Sequence, residues 1–219
     1  MKHILRASLP LVLASSLPAD TLQSAKVTKV VNEVRIHKSA KAAKPATIGD
    51  VIEGKTRLQT GRRSRSELRF QDNTITRLGA NSIFSFDQGT RDLRLEKGTL
   101  LLQVPKNNGG ARIRTATVTA AITGTTVMME YNTKQWVKII VLEGSLKAWI
   151  EQEGQRVQKT LRPGQMVVLR ADSRRIPEPV NVDVQTIMKT AALASPETFG
   201  PLPDRALNEI GRTITQQDN

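Results

Sequence analysis

"RTATVTAAITGTTVMMEY", residues Arg114–Tyr131, is the stretch on which the fold turns. Small or polar residues alternate with β-branched and apolar ones, the period-two pattern of strands with one buried face. Gly124 interrupts the run and is followed by Thr125 and Thr126. A glycine inside a strand pattern marks a bend or a place where another backbone approaches closely. The chemical alternative, a phosphate-binding turn, needs several glycines, a lysine and a following helix, and this stretch has none of them. Gly124-Thr125-Thr126 therefore reads as architecture: a sharp turn between short strands, with hydroxyls able to bond the turn backbone.

The same pattern extends outward from that stretch. From Gly49 to Leu169, β-type runs such as "SELRF", "TRLGANSIFSF", "DLRLEKGTLLLQV", "WVKIIVLEG" and "QMVVLR" are separated by Gly, Asp or Asn. Turn signals at intervals of roughly ten residues are the spacing of an all-β fold. Lys26–Ile36 alternates well enough for one further strand. Asn108-Gly109, between Val104 and Ile113, is a strong hairpin signal, and Glu153-Gly154 a weaker one. Gly61, Asn73, Gly98, Asn108, Gly109, Gly124, Gly144 and Gly164 are the expected structural turns. After Arg170 the character changes. "DSRRIPEPVN" is a proline-containing linker, and "VDVQTIMKTAALA" reads as a helix with Val184, Ile187, Met188 and Leu193 on one side. Asp204 is placed to cap a second helix through "RALNEIGRTITQQ". The expected organisation is a leader at 1–19, a β domain at 26–170, and a linker with a two-helix tail at 171–219. The fold class is mainly β, solenoid-like or a twisted two-sheet stack of short strands, with a short helical C-terminal tail.

Composition removes several kinds of chemistry. The chain has 219 residues, no cysteine and two histidines, His3 and His37. Disulfide scaffolds, thiol nucleophiles and cysteine zinc sites are excluded, and histidine-based metal or acid–base chemistry nearly so. Glu151 and Glu153 lie two apart but flank a solvated turn. There is no nucleophile elbow and no Ser–His pairing. The expectation is a non-enzymatic protein with no cofactor and no metal. Met128 and Met129, being adjacent in a strand, face opposite sides, one in the core and the other half covered.

The formal charge is +13, which points to an anionic partner. The excess lies in the β region: residues 49–170 hold twenty Lys/Arg against eleven Asp/Glu, and residues 171–219 five against seven. The densest cluster is Gly61-Arg62-Arg63-Ser64-Arg65, a solvated hairpin tip in its plainest reading. With Arg57, Arg69 and Arg77 on one outer face it becomes a basic stripe able to follow an acidic polymer. Nucleic acid is disfavoured, because single-strand recognition uses exposed aromatics among the cations, whereas Phe84 and Phe86 share a strand face and belong to the core. At the N-terminus, Lys2, His3 and Arg6 precede a short apolar run, the pattern of a secretory signal cut between Ala14 and Ser24. The run falls short of the roughly 20 apolar residues of a membrane span. The expected location is exported, periplasmic or secreted, with no span in the mature chain.

The β region resembles the FecR domain family, on five blocks in the family's order. They are Gly49–Phe86 ("GDVIEGKTRLQTGRRSRSELRFQDNTITRLGANSIFSF"), "LRLEKGTLLLQV", "IRTATVTAAITGTTVMMEY", "KIIVLEGSLKAWI" and "TLRPGQMVVLR". Asp72-Asn73 stands where the family prefers Asp-Gly, and asparagine also reaches the left-handed conformation. The family includes envelope sensors that relay signals to sigma factors, and stand-alone exported proteins. The anti-sigma segment and membrane helix of the full sensors have no counterpart here, so the resemblance implies the sensory or binding half. The expected function is an envelope interaction or signal-relay module. It would bind a protein partner through its β domain, by strand addition along an open edge with help from the basic face. The alternative is a module for an anionic cell-envelope polysaccharide. The two helices either pack on the β domain or dock in a partner's groove.

Overall fold

A computed structural model describes residues 21–39 and 42–218; the expected leader lies outside the described residues. Seventeen strands and three helices are present among them. The strands lie in two stacked sheets. In the first the order is β4 (Val51–Glu53), β1 (Ser24–Val31), β6 (Arg65–Phe70), β7 (Ile75–Leu78), β9 (Asp92–Gln103), β12 (Thr126–Asn132), β13 (Trp136–Glu143), β16 (Gln165–Arg170) and β17 (Val180–Asn181). In the second it is β3 (Ala42–Pro45), β2 (Val34–Ser39), β5 (Arg57–Thr60), β8 (Ile83–Phe86), β9 again, β10 (Ala111–Arg114), β11 (Thr119–Ile122), β14 (Leu146–Gln152) and β15 (Gln155–Leu161). Every pairing is antiparallel except β9–β10.

The alternating residues of both sheets meet in one core. Val27, Leu68, Leu78, Val127, Met129 and Ile139 come from the first sheet, and Ile36, Leu58, Phe84, Ile113, Ala148 and Ile150 from the second. Phe70 and Phe86 meet edge to face across the layers, with ring centroids 5.0 Å apart, a favoured aromatic geometry. Met129 is in the core and Met128 half covered on the other face.

The chain passes between layers at tight corners, and Gly124 sits at one of them. It has φ +57°, between β11 of the second sheet and β12 of the first. The next corner in the stack is Gly144-Ser145, between β13 and β14. Thr125 Oγ1 donates to Ser145 O at 3.0 Å or Thr123 O at 3.1 Å. A Cβ on Gly144, at φ +79°, would lie 2.6 Å from Gly124 O. The two corners are packed backbone to backbone, which only glycine allows. The Gly61–Arg65 cluster is a corner of the same kind, from β5 to β6, and not a hairpin tip.

Three other sequence expectations change. Lys26–Ile36 is two strands, because Asn32 at φ +57° sends β1 into the first sheet and β2 into the second. Asn108-Gly109 closes no hairpin. β9 and β10 run parallel, and left-handed φ values fall on Asn107, Gly109 and Gly110. Asn108 instead donates its side-chain amide to Asp72 O at 2.6 Å, tying this loop to the turn between β6 and β7. Gly98 is no turn. It lies inside β9 at φ +92° beside Ser82, where the strand leaves the second sheet and enters the first. Asn73 at φ +63° and the Glu153-Gly154 turn at φ +50° and +77° occupy the expected left-handed positions.

A third layer covers the first sheet. Helices α1 (Val184–Thr190), α2 (Pro196–Phe199) and α3 (Asp204–Gln217) lie on its outer face. Val184, Leu193, Phe199, Leu202 and Ile210 bury against Leu101, Ile140 and Leu142 in a second apolar cluster. Asp183 caps α1, accepting from Thr186 N at 2.9 Å. Asp204 is the first residue of α3 rather than its cap. The apolar side of the tail is thus spent on the chain's own sheet. No helix among the described residues is long and apolar enough to cross a membrane.

Candidate functional site

The register fixes which side chains share the outer face of the first sheet. One row across the strands reads Val51, Lys26, Arg69, Ile75, Gln103, Thr126 and Glu143. The next reads Lys29, Glu67, Arg77, Leu101, Met128, Ile140, Met166 and Val180. The tail covers the middle of these rows and leaves the β4–β1–β6 end open.

The six arginines singled out in the sequence separate on this frame. Arg77 is 1% exposed and lies under the tail. Its Nε donates to Glu67 Oε2 at 2.8 Å, its Nη1 to Leu193 O at 3.1 Å, and its Nη2 to Gly200 O at 2.9 Å. The guanidinium stands 4.9 Å from the centroid of the Phe199 ring. Glu67 in turn accepts from Thr28 Oγ1 at 2.7 Å. Burial lowers the Arg77 pKa, and Glu67 opposes that shift. Arg77 is a clamp on the backbone of the tail and no part of an exposed stripe. Arg57 is on β5 of the second sheet, half exposed and 3.5 Å from Glu96, away from the others. Arg62 and Arg63 are exposed at the β5–β6 corner, and Arg65 and Arg69 extend from it along β6.

Two residues outside the predicted set complete the strip. Lys26 is the register partner of Arg69 and Lys29 that of Glu67. Like charges directly opposite on neighbouring strands are destabilising. Among the described residues no carboxylate forms an ion pair with Lys26, Lys29, Arg62, Arg63, Arg65 or Arg69. Val51 borders Lys26 on its other side at 54% exposure, and Ile48 in the preceding loop is 66% exposed. The polar positions of "KVTKVV" carried the only sequence signal for Lys26 and Lys29. Their meeting with Arg69 depends on the β1–β6 pairing, which no local pattern announces. The arrangement can attract an anion and bury a small apolar contact beside it. Among the described residues no group of three or more His, Asp or Glu side chains could hold a metal.

Under α3 lies a buried polar node. Glu143 is 3% exposed; one carboxyl oxygen accepts from Thr126 Oγ1 at 2.9 Å and the other has no partner among the described residues. Burial raises its pKa, against the Thr126 hydrogen bond and the Lys106 cation.

These layers define a class: a two-sheet β stack strapped on one face by C-terminal helices. Residues 56–147 match the model of the FecR family, described as "FecR protein". The match covers less than half of the chain and runs from the residue before β5 into β14. Two crystal structures of a candidate anti-sigma factor from Parabacteroides distasonis ATCC 8503 share the fold, each at TM-score 0.52 and 15% identity. The similarity covers 60% of this chain and 62% of that one in the first, and 62% and 64% in the second. The chain therefore spans less than two thirds of those relatives. No curated protein matches it.

Proposed function

We propose that this protein is an exported, non-enzymatic FecR-type module of the cell envelope that binds a protein partner through its β domain and so relays a signal or holds an assembly. The FecR match supports the class of role. The observation that carries the binding reading is the open end of the first sheet's outer face. There Lys26 and Arg69 oppose each other with no carboxylate paired to either among the described residues, beside the exposed Val51 and Ile48. A cross-strand repulsion is relieved by an anionic partner, and the adjoining apolar pair favours a protein surface over a purely charged polymer. Photo-crosslinking from position 51 in intact cells tests this. Recovery of one specific protein, lost on Arg69→Glu, is expected. Recovery of nothing, together with salt-sensitive retention on anionic glycan, would favour the second reading, a module for envelope polysaccharide. Export is checked by the intact mass of the protein in the periplasmic or secreted fraction. A chain retaining Met1 in the cytoplasm would overturn it.

A further inference from the structure

The stack has four sheet edges, and three are blunted. β4 has three residues, β17 has two, and β3 has four and ends in Pro45. Short edges and edge prolines are the usual protections against unwanted strand pairing. β15 has seven residues, no proline, and among the described residues pairs only with β14. Its two cations do not guard it. Arg156 lies 4.7 Å from the centroid of the Trp149 ring and pairs with Glu151, and Lys159 pairs with Glu178 of the linker. Both are drawn onto their own chain.

The hairpin turn fixes which backbone groups are free. Glu153 and Gly154 form a two-residue turn with both φ positive, so Gln152 and Gln155 are the hydrogen-bonded closing pair. Hydrogen-bonded and non-bonded positions alternate along an antiparallel pair. Val157, Lys159 and Leu161 therefore bond to β14, and Arg156, Gln158 and Thr160 turn their N–H and C=O groups outward. Those three residues are exposed, and among the described residues no other segment hydrogen-bonds to them across that edge.

From this, and resting on the reading of the chain as a protein-binding module, we infer that β15 is the strand-addition site and that it receives an extended acidic segment of a partner protein. The partner's main chain completes the ladder at Arg156, Gln158 and Thr160. On the outward face its carboxylates lie near Lys147, the exposed register partner of Thr160, while Arg156 stays paired with Glu151. On the inward face its apolar residues continue the row of Val157 and Leu161, beside Ile176 of the linker. The chain's surplus of cations supplies the long-range attraction. The site is distinct from the Lys26–Arg69 strip, which belongs to the other sheet.

The test uses the full chain, a soluble peptide of alternating glutamate and valine, and amide hydrogen exchange. Added peptide is expected to slow exchange at Arg156, Gln158 and Thr160 and not at Val157 or Lys159, which are already bonded. Gln158→Pro removes a donor that the fold does not use and should weaken peptide binding about tenfold or more, while Gln158→Ala keeps the backbone donor and the binding. Equal binding by the proline variant, or no slowing at β15, overturns the inference. Slowing confined to β1 and β6 also overturns it, and leaves the protein-partner reading standing on the basic strip. Protection of β15 that depends on protein concentration without peptide would assign the edge to a second copy of this chain and overturn the acidic partner. If crosslinking in cells recovers no protein while the peptide still binds β15, the functional reading fails and the edge assignment survives.

Discussion

Arg69 and Arg77 lie on adjacent strands, on the same face of the same sheet, and have opposite fates. Arg77 is buried, with every nitrogen engaged by Glu67 or by tail carbonyls. Arg69 is exposed, faces Lys26 and, among the described residues, forms no ion pair with a carboxylate. The covered and uncovered ends of one sheet thus use the same residue type for two purposes. At one end the cation holds the protein to itself, and at the other it is left for something else. What decides between them is the reach of the tail, not any property of β6 or β7.

The largest effect expected of this contrast comes from removing the cover. A chain ending at Ala171 exposes Leu101, Ile140 and Leu142, worth about 1.5–3 kcal/mol each when buried. It should self-associate, as light scattering would show; a folded, monomeric β stack would mean that the cover is dispensable. Next comes Arg77→Leu, which strands the Glu67 carboxylate in the interior and should cost about 3–5 kcal/mol in urea unfolding. Adding Glu67→Leu should restore part of that loss. If the single variant is as stable as the parent, the clamp is not what holds the tail.

Glu143 sharpens the contrast through pH. Its neighbours are Thr126, Lys106 on the loop after β9, and Glu209 and Arg205 on α3. Because burial raises its pKa, the folded protein holds this proton more tightly than the unfolded chain does. That contribution is full below the ordinary carboxylate range and fades as pH rises through the raised value. Glu143→Gln should flatten this part of the stability profile just above the ordinary carboxylate range, and an unchanged slope would place the titration elsewhere. The smallest effect belongs to the open end. Lys26→Glu turns a repulsion into an attraction and should stabilise by about 0.2–1 kcal/mol while weakening retention on an anionic matrix. A residue whose loss improves stability and impairs binding is kept for the binding.

The mainly β class was legible because alternation is local: in "RTATVTAAITGTTVMMEY" the corner at Gly124 shows in its own residues, whereas the turn at Thr115–Val118, which folds β10 back on β11, is hidden by the same alternation. The clamp was not. Arg77 and Arg69 both occupy outward positions in short alternating strands, and the carbonyl that separates them in function comes from Leu193, 116 residues further along the chain. Asn108-Gly109 misled for a related reason. Its composition fits a hairpin, but Asp72 takes the asparagine amide and the returning strand runs parallel. Lys26 was visible as a polar position, yet its meaning lies in the register with Arg69. Pairing between distant strands, more than element type, is what composition and period leave open.

β9 has one more implication. Its N-terminal half is hydrogen-bonded in the second sheet and its C-terminal half in the first, with Gly98 at the passage between them. Two stacked sheets joined only by loops can slide over each other as plates. Here a single backbone is stitched into both, so sliding would tear ladder bonds on either side of Gly98. A pull applied at β15 would be carried to the strapped face as a turn of the whole body, and the module would act as a rigid lever.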